Sequence, residues 1–401
     1  EDSSPVSVTP VIENHIDDVP QPKPIEPIPE VPSPLNEYFT FKFYGHTCNI
    51  RLPKELKINL TDCQPISIAE GWKKLSKDDL NNTIRDCIET RIRYSLCDWA
   101  YLQFLEGLGK KCCTNKNEAT LLTAFLFCQS GYQMRIGVDS GYLVMLYASK
   151  HQIYDKTYFN IDGTYFYPLT KASRSFSICN AIFKGETPMS LMINTYQNLG
   201  SAQSEVRTIN SRRYSNMAIQ TTVNTDLIEF YNSYPSSEIG GNMMTCWAMY
   251  ADTPLSTETR NILYPALRQL INGKTPLQSV QMLLNWVQTG FVYEYDDKVW
   301  GYDRAFFAEE TLYYPYCDCE DRSILFSRIV RDLLDLDVAL IYYPGHLAAA
   351  VCFGDDEING DTMIIDGRMF TVCDPTYIGA PVGLQMPGLD YNATKAIVLK
   401  R

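Results

Sequence analysis

Three residues in the C-terminal part of this chain could together carry out acyl transfer. Cys319 stands just ahead of a run in which Phe326, Ile329, Val330, Leu333 and Leu334 share one helical face, which predicts a helix over 320–334 with the cysteine at its head. A helix start offers unsatisfied N–H groups and the positive end of the macrodipole, and both favour a thiolate over a thiol. A nucleophilic cysteine also needs a base. The chain has only four histidines, His15, His46, His151 and His346, and the last follows a Pro344-Gly345 turn at the start of an apolar run. Asp374, just before Pro375, ends a further strand-like stretch and can orient an imidazole. Nucleophile, base and orienting acid thus fall in order on what should be rigid elements.

Those elements are predicted as the helix over 320–334 followed by strands over 338–342, 347–353 and 363–373. Upstream, helical periodicity covers 78–93, 257–270 with Pro265 as a potential interruption, and 276–291. Apolar and polar residues alternate over Phe39 to Phe43 as in a strand.

In this order and at these spacings, Cys319-Glu320-Asp321, Gly345-His346-Leu347 and Cys373-Asp374-Pro375-Thr376-Tyr377 resemble the bacterial transglutaminase-like superfamily over about residues 255–401. One departure is Cys317, where that family often carries Gly. The resemblance implies an α+β fold with a papain-like core, in which the nucleophile's helix packs on an antiparallel sheet. It implies Cys319 as nucleophile, His346 as general base and Asp374 as the orienting acid, acting on a peptide or protein through a thioester, with no cofactor and no metal. The backbone N–H of Cys319 is the natural first oxyanion donor. The family usually adds an upstream aromatic or amide side chain, for which Tyr293, Tyr295 and Trp300 are the candidates.

Composition narrows the rest. The chain has 401 residues, 45% of them hydrophobic, enough for two core-bearing units. A net charge of -12 argues against nucleic acid as a partner. No apolar run is long enough to span a bilayer. Thirteen cysteines cannot all pair with one another, and no pair of CxxC motifs stands at zinc-ribbon spacing. Residues 1–36 hold nine of the 22 prolines and seven acidic residues against one lysine, Lys23, and so half of the net charge. That composition predicts a stiff, disordered tether. A start at Glu1 without a leader reads as processing of a longer precursor, and a tether there suits a secreted or surface-anchored location outside the cytoplasm. Oligomeric state is left open.

An internal repeat is also expected. Setting Asn117-Glu118-Ala119 against Cys319-Glu320-Asp321 brings Leu122 onto Ile324, Phe127 onto Ile329 and Cys128 onto Val330. A two-residue shift then sets Gly141-Tyr142-Leu143 on Gly345-His346-Leu347, and Asp162-Gly163-Thr164-Tyr165 matches Asp374-Pro375-Thr376-Tyr377. This makes 37–205 a degenerate domain, with Asn117, Tyr142 and Asp162 in place of the triad, and 206–401 the catalytic one. An amide and a phenol supply neither thiolate nor imidazole, so the first domain should be inert. The leading expectation is a cysteine peptidase or amidase. The alternatives are an acyl-transferring transglutaminase and a non-catalytic surface protein that binds a peptide or glycan. Redox chemistry at Cys317 and Cys319 is weaker, since the pair lacks a two-residue spacer.

Overall fold

The computed structural model describes residues 6–8, 23–24, 28, 36–77, 80–154, 156–179, 181–193, 195–354 and 358–400. The expected tether lies largely outside them. Within it, Val6–Val8 forms a short strand paired in parallel with Thr362–Ile365, so that stretch belongs to a sheet instead of a free leash. The chain divides into two compact units. The first comprises Asp18–Met192 and Gln197–Gly200, and the second comprises Glu1–Asp17, Ile193–Tyr196 and Ser201–Arg401. Both mix helices with mainly antiparallel sheet. No helix among the described residues is long and apolar enough to cross a membrane.

In the second unit a six-stranded sheet runs in the order Val6–Val8, Thr362–Ile365, Arg368–Cys373, His346–Cys352, Asp337–Tyr343, Lys395–Val398. Ala339, Ile341, Tyr343, Ala348, Ala350, Phe370 and Val372 alternate into one buried cluster, as the two-residue period of a strand requires. The helix Cys319–Leu334 packs on the His346–Cys352 strand and against the helix Pro276–Gly290. Its first turn is held by the Asp318 N–H, which donates to Asp321 Oδ2 at 3.2 Å, and its last by Asp335 in the left-handed conformation, φ 54°. Ile324, Leu325, Phe326, Ile329 and Val330 are fully buried. Each contributes roughly 2 kcal/mol of apolar burial, which fixes the helix against the sheet.

Two local expectations change. The stretch 363–373 is two strands, not one, because Asp366 and Gly367 take φ 50° and 71° and turn the chain into a hairpin. Asp-Gly is the dipeptide that such a turn favours. The helix Thr257–Ile271 runs on through Pro265: Leu263, Leu267 and Ile271 are buried on its inner face and offset the one backbone bond the proline removes.

In the first unit a five-stranded sheet runs in the order Phe159–Ile161, Thr164–Pro168, Tyr142–Ser149, Met134–Asp139, Ser177–Cys179, preceded in the chain by the helix Lys116–Gln129. The hairpin Asn36–Phe43 with His46–Pro53 and the helices Asn81–Arg93 and Asp98–Cys112 complete it.

Candidate active site

Cys319 is the first residue of its helix. Its thiol donates to Glu320 Oε2 at 3.0 Å. One turn on, Ser323 Oγ donates to the Leu347 carbonyl at 3.0 Å. The start of the helix is therefore bonded to the residue that follows His346.

His346 opens its strand and pairs with Tyr343 across the Pro344-Gly345 turn, where Gly345 has φ 81° and carries no side chain to strain. Its Nε2 lies 2.8 Å from Asp374 Oδ2, and both groups are buried. Asp374 Oδ1 accepts the N–H groups of Thr376 and Tyr377 at 2.8 and 3.1 Å. With its other oxygen already accepting two donors, the carboxylate acts as acceptor toward the imidazole. Nε2 then carries the proton, and Nδ1 is the basic nitrogen.

The thiol departs from what its position at a helix end implies. Burial, then the negative charges of Glu320 and Asp318, push Cys319 well above the usual cysteine range. A helix terminus contributes a partial charge, whereas two adjacent carboxylates contribute whole ones, and the carboxylates prevail. Cys319 therefore favours the thiol, and any use of it as a nucleophile would need a base to take its proton.

Of the three supporting candidates, only Tyr293 shares this environment. The strand Val292–Tyr293 pairs in parallel with Tyr316–Cys317, the segment that leads into the helix, and burial followed by the proximity of Cys319 raises the Tyr293 phenol. Tyr295 is 56% exposed and meets Tyr293 edge to face. Trp300 packs against Phe306 and Tyr314 under the Arg304 guanidinium. Cys317 is core packing: it is 2% exposed, accepts from Arg322 Nε at 3.4 Å, and is pushed up to about 12 by burial.

Two contributors carry no sequence signal that singles them out. Gln288, fully buried, donates to the carbonyls of Asp374, Tyr377 and Ala380 and fixes the loop that begins at Asp374. Glu320, which the sequence offers only as a favourable first-turn charge, is the acceptor for the thiol.

In the first unit Asn117 and Tyr142 hold related places, and Asp162 does not. Asn117 Oδ1 accepts the Leu143 N–H at 2.9 Å, so this helix start bonds the residue after Tyr142, as Ser323 bonds the residue after His346. Tyr142 opens its strand after Gly141, φ 82°. Asp162 is exposed, at φ 50° with Gly163 at φ 82°, in the turn between Phe159–Ile161 and Thr164–Pro168. In the second unit that turn belongs to Asp366-Gly367. The strand register explains the correction. Cys373 pairs three residues after His346, with Ala349, and Leu169 bonds three residues after Tyr142, to Met145. The residue in the place of Asp374 is therefore Thr170. A cavity of about 740 Å³ is lined by Asn117, Tyr142 and Thr170, together with Cys113, Lys116 and Lys171.

No family model matches the chain, and no curated protein matches its sequence.

Proposed function

We propose that the second unit is a cysteine peptidase or amidase of transglutaminase-like type. The observation that carries this reading is the 2.8 Å bond between buried His346 Nε2 and Asp374, with Cys319 heading the helix whose Ser323 donates to the carbonyl of the next residue, Leu347. His346 Nδ1 takes the thiol proton as sulfur attacks the amide carbonyl. The oxyanion is met by the Cys319 N–H and the Tyr293 hydroxyl, and the imidazolium protonates the departing amine as the C–N bond breaks. Water, deprotonated by the same imidazole, then hydrolyses the thioester. Where an amine reaches the thioester before water, the product is a new amide, the acyl-transfer alternative.

We further infer that the first unit is an altered copy of the second. Support comes from the helix that precedes each sheet, from five strands in corresponding order, from the matching Asp-Gly turns, and from a side-chain bond between each helix start and the second residue of the strand. The cavity at its altered positions favours a second reading for that unit, as a binding module for peptide or glycan.

The test is labelling with an acyl-directed electrophile, followed by peptide mapping. The wild-type protein should be modified at Cys319, and His346→Ala should slow the reaction by roughly 10²- to 10⁴-fold. Labelling that ignores His346 would remove the base from the scheme and leave the binding reading.

A further inference from the structure

The cavity of about 740 Å³ in the first unit has the size of a small-ligand site. Its walls come from the helices Asp98–Cys112 and Lys116–Gln129, from the hairpin of Met134–Asp139 with Tyr142–Ser149, and from the stretch after Thr164–Pro168. The site is therefore assembled by tertiary structure, not by one local segment.

Charge in this cavity runs against the trend of the chain, whose net is -12. Three lysines and two acids line it. Lys110 is bound to Glu106 at 2.6 Å. Asp139 is held by the Ser173 N–H at 2.7 Å and the Ser140 hydroxyl at 3.0 Å. Lys116 and Lys171 are exposed and form no ion pair among the described residues. The Asn117 amide is already engaged: its Nδ2 donates to Cys63 Sγ at 3.2 Å and to the Gly141 carbonyl at 3.3 Å, and its Oδ1 accepts the Leu143 N–H. A ligand would meet the two lysines, beside an apolar wall of Leu143, Met145 and Leu169.

We propose that this cavity binds a peptide carboxylate, met by Lys116 and Lys171, with a neighbouring apolar side chain of the peptide against Leu143, Met145 and Leu169. The inference rests on the first unit being a binding module, and it selects peptide over glycan. Among the described residues Tyr142 is the one aromatic side chain lining the cavity, too few to stack successive sugar rings. Two unpaired cations beside an apolar wall instead suit a hydrophobic residue next to a carboxylate, because each part then meets its complement.

Calorimetry on the full chain carrying Cys319→Ala, which keeps a peptide probe intact, is the test. Acetyl-Ala-Ala-Leu with a free C-terminus and acetyl-Ala-Asp-Leu amide separate a terminal carboxylate from a side-chain one, and acetyl-Ala-Ala-Leu amide carries neither. At least one acid peptide should bind saturably and roughly tenfold or more tighter than the neutral amide. Lys116→Gln and Lys171→Gln should each weaken that peptide by roughly threefold or more, and added salt should weaken it further. Both lysines are exposed, so these variants leave the core undisturbed. Acid and neutral peptides that bind alike overturn the carboxylate assignment and leave the binding module standing. Binding that both lysine variants leave intact overturns the site. An uncharged oligosaccharide such as chitohexaose that binds where no peptide does overturns the peptide class, and failure of peptides and oligosaccharide alike removes the binding module as well.

Discussion

Both units run a helix into five strands of corresponding sheet order, yet three matching places in them carry different residues. In the second, the helix start, the strand start and the strand end carry Cys319, His346 and Asp374; in the first, the same three places carry Asn117, Tyr142 and Thr170. The difference shows which constraints belong to the scaffold and which to the chemistry. Strand order and turn positions follow from buried alternation and from left-handed turn residues, and both units keep them. The three positions lie at ends of elements, where packing does not dictate the side chain. One feature persists at the helix start: a side chain there bonds the peptide of the second strand residue, Ser323 to the Leu347 carbonyl in one unit and Asn117 to the Leu143 N–H in the other.

The largest expected effect breaks the comparison from the catalytic side. Cys319→Ala should abolish electrophile labelling and lower amide turnover by roughly 10³-fold or more, whereas Asn117→Ala should leave both unchanged. Asp374→Asn should lower turnover by about 10²- to 10⁴-fold, because an amide can present N–H to the imidazole and select the wrong tautomer. Thr170→Ala should leave it as it was. Turnover that responds to Thr170 would mean that the first unit is not inert.

A gain of function sharpens the comparison further. In a Cys319→Ala background, Asn117→Cys with Tyr142→His and Thr170→Asp should create a new labelled thiol in the first unit. The same pair of changes with Thr170 retained should label about tenfold more slowly. Equal rates would return the orienting role to Asp162 and sink the register argument.

The units should also differ in acid. His151 in the first unit is 3% exposed, and burial, then Lys150, lowers it to about 4. Its folded value is depressed below the unfolded 6.5, so its stabilising contribution is present above pH 6.5 and is lost as pH falls toward 4. The full loss corresponds to about 3 kcal/mol. Thermal unfolding followed from pH 7 to 4 should show a shallower decline for His151→Gln than for the wild type. The smallest effect is structural: Asn117→Ala leaves the Leu143 N–H without its acceptor and should cost about 1 kcal/mol in denaturant unfolding.

Much of the scaffold was legible in the chain. The apolar stripe after Cys319 marked its helix, the Pro-Gly turn marked the start of the histidine strand, and the helix over 276–290 was found to within one residue of its end. These features depend on neighbours in sequence, through periodicity and turn chemistry. The Asp366-Gly367 hairpin was equally local, yet the apolar run on both sides concealed it.

The candidate site divides along the same line. Sequence order alone singled out Cys319, His346 and Asp374, because each stands at a recognisable end of an element. Which residue of the first unit answers to Asp374 was decided by strand register, since Asp162 resembles it in sequence but occupies a turn. Gln288 is likewise invisible to spacing, because it meets the Asp374 loop from 86 residues away in the chain. The state of the thiol was also a tertiary outcome. A sequence shows the helix end that favours ionisation, but burial and the distance to neighbouring carboxylates exist only once the chain has folded, and Coulomb energy depends on those distances.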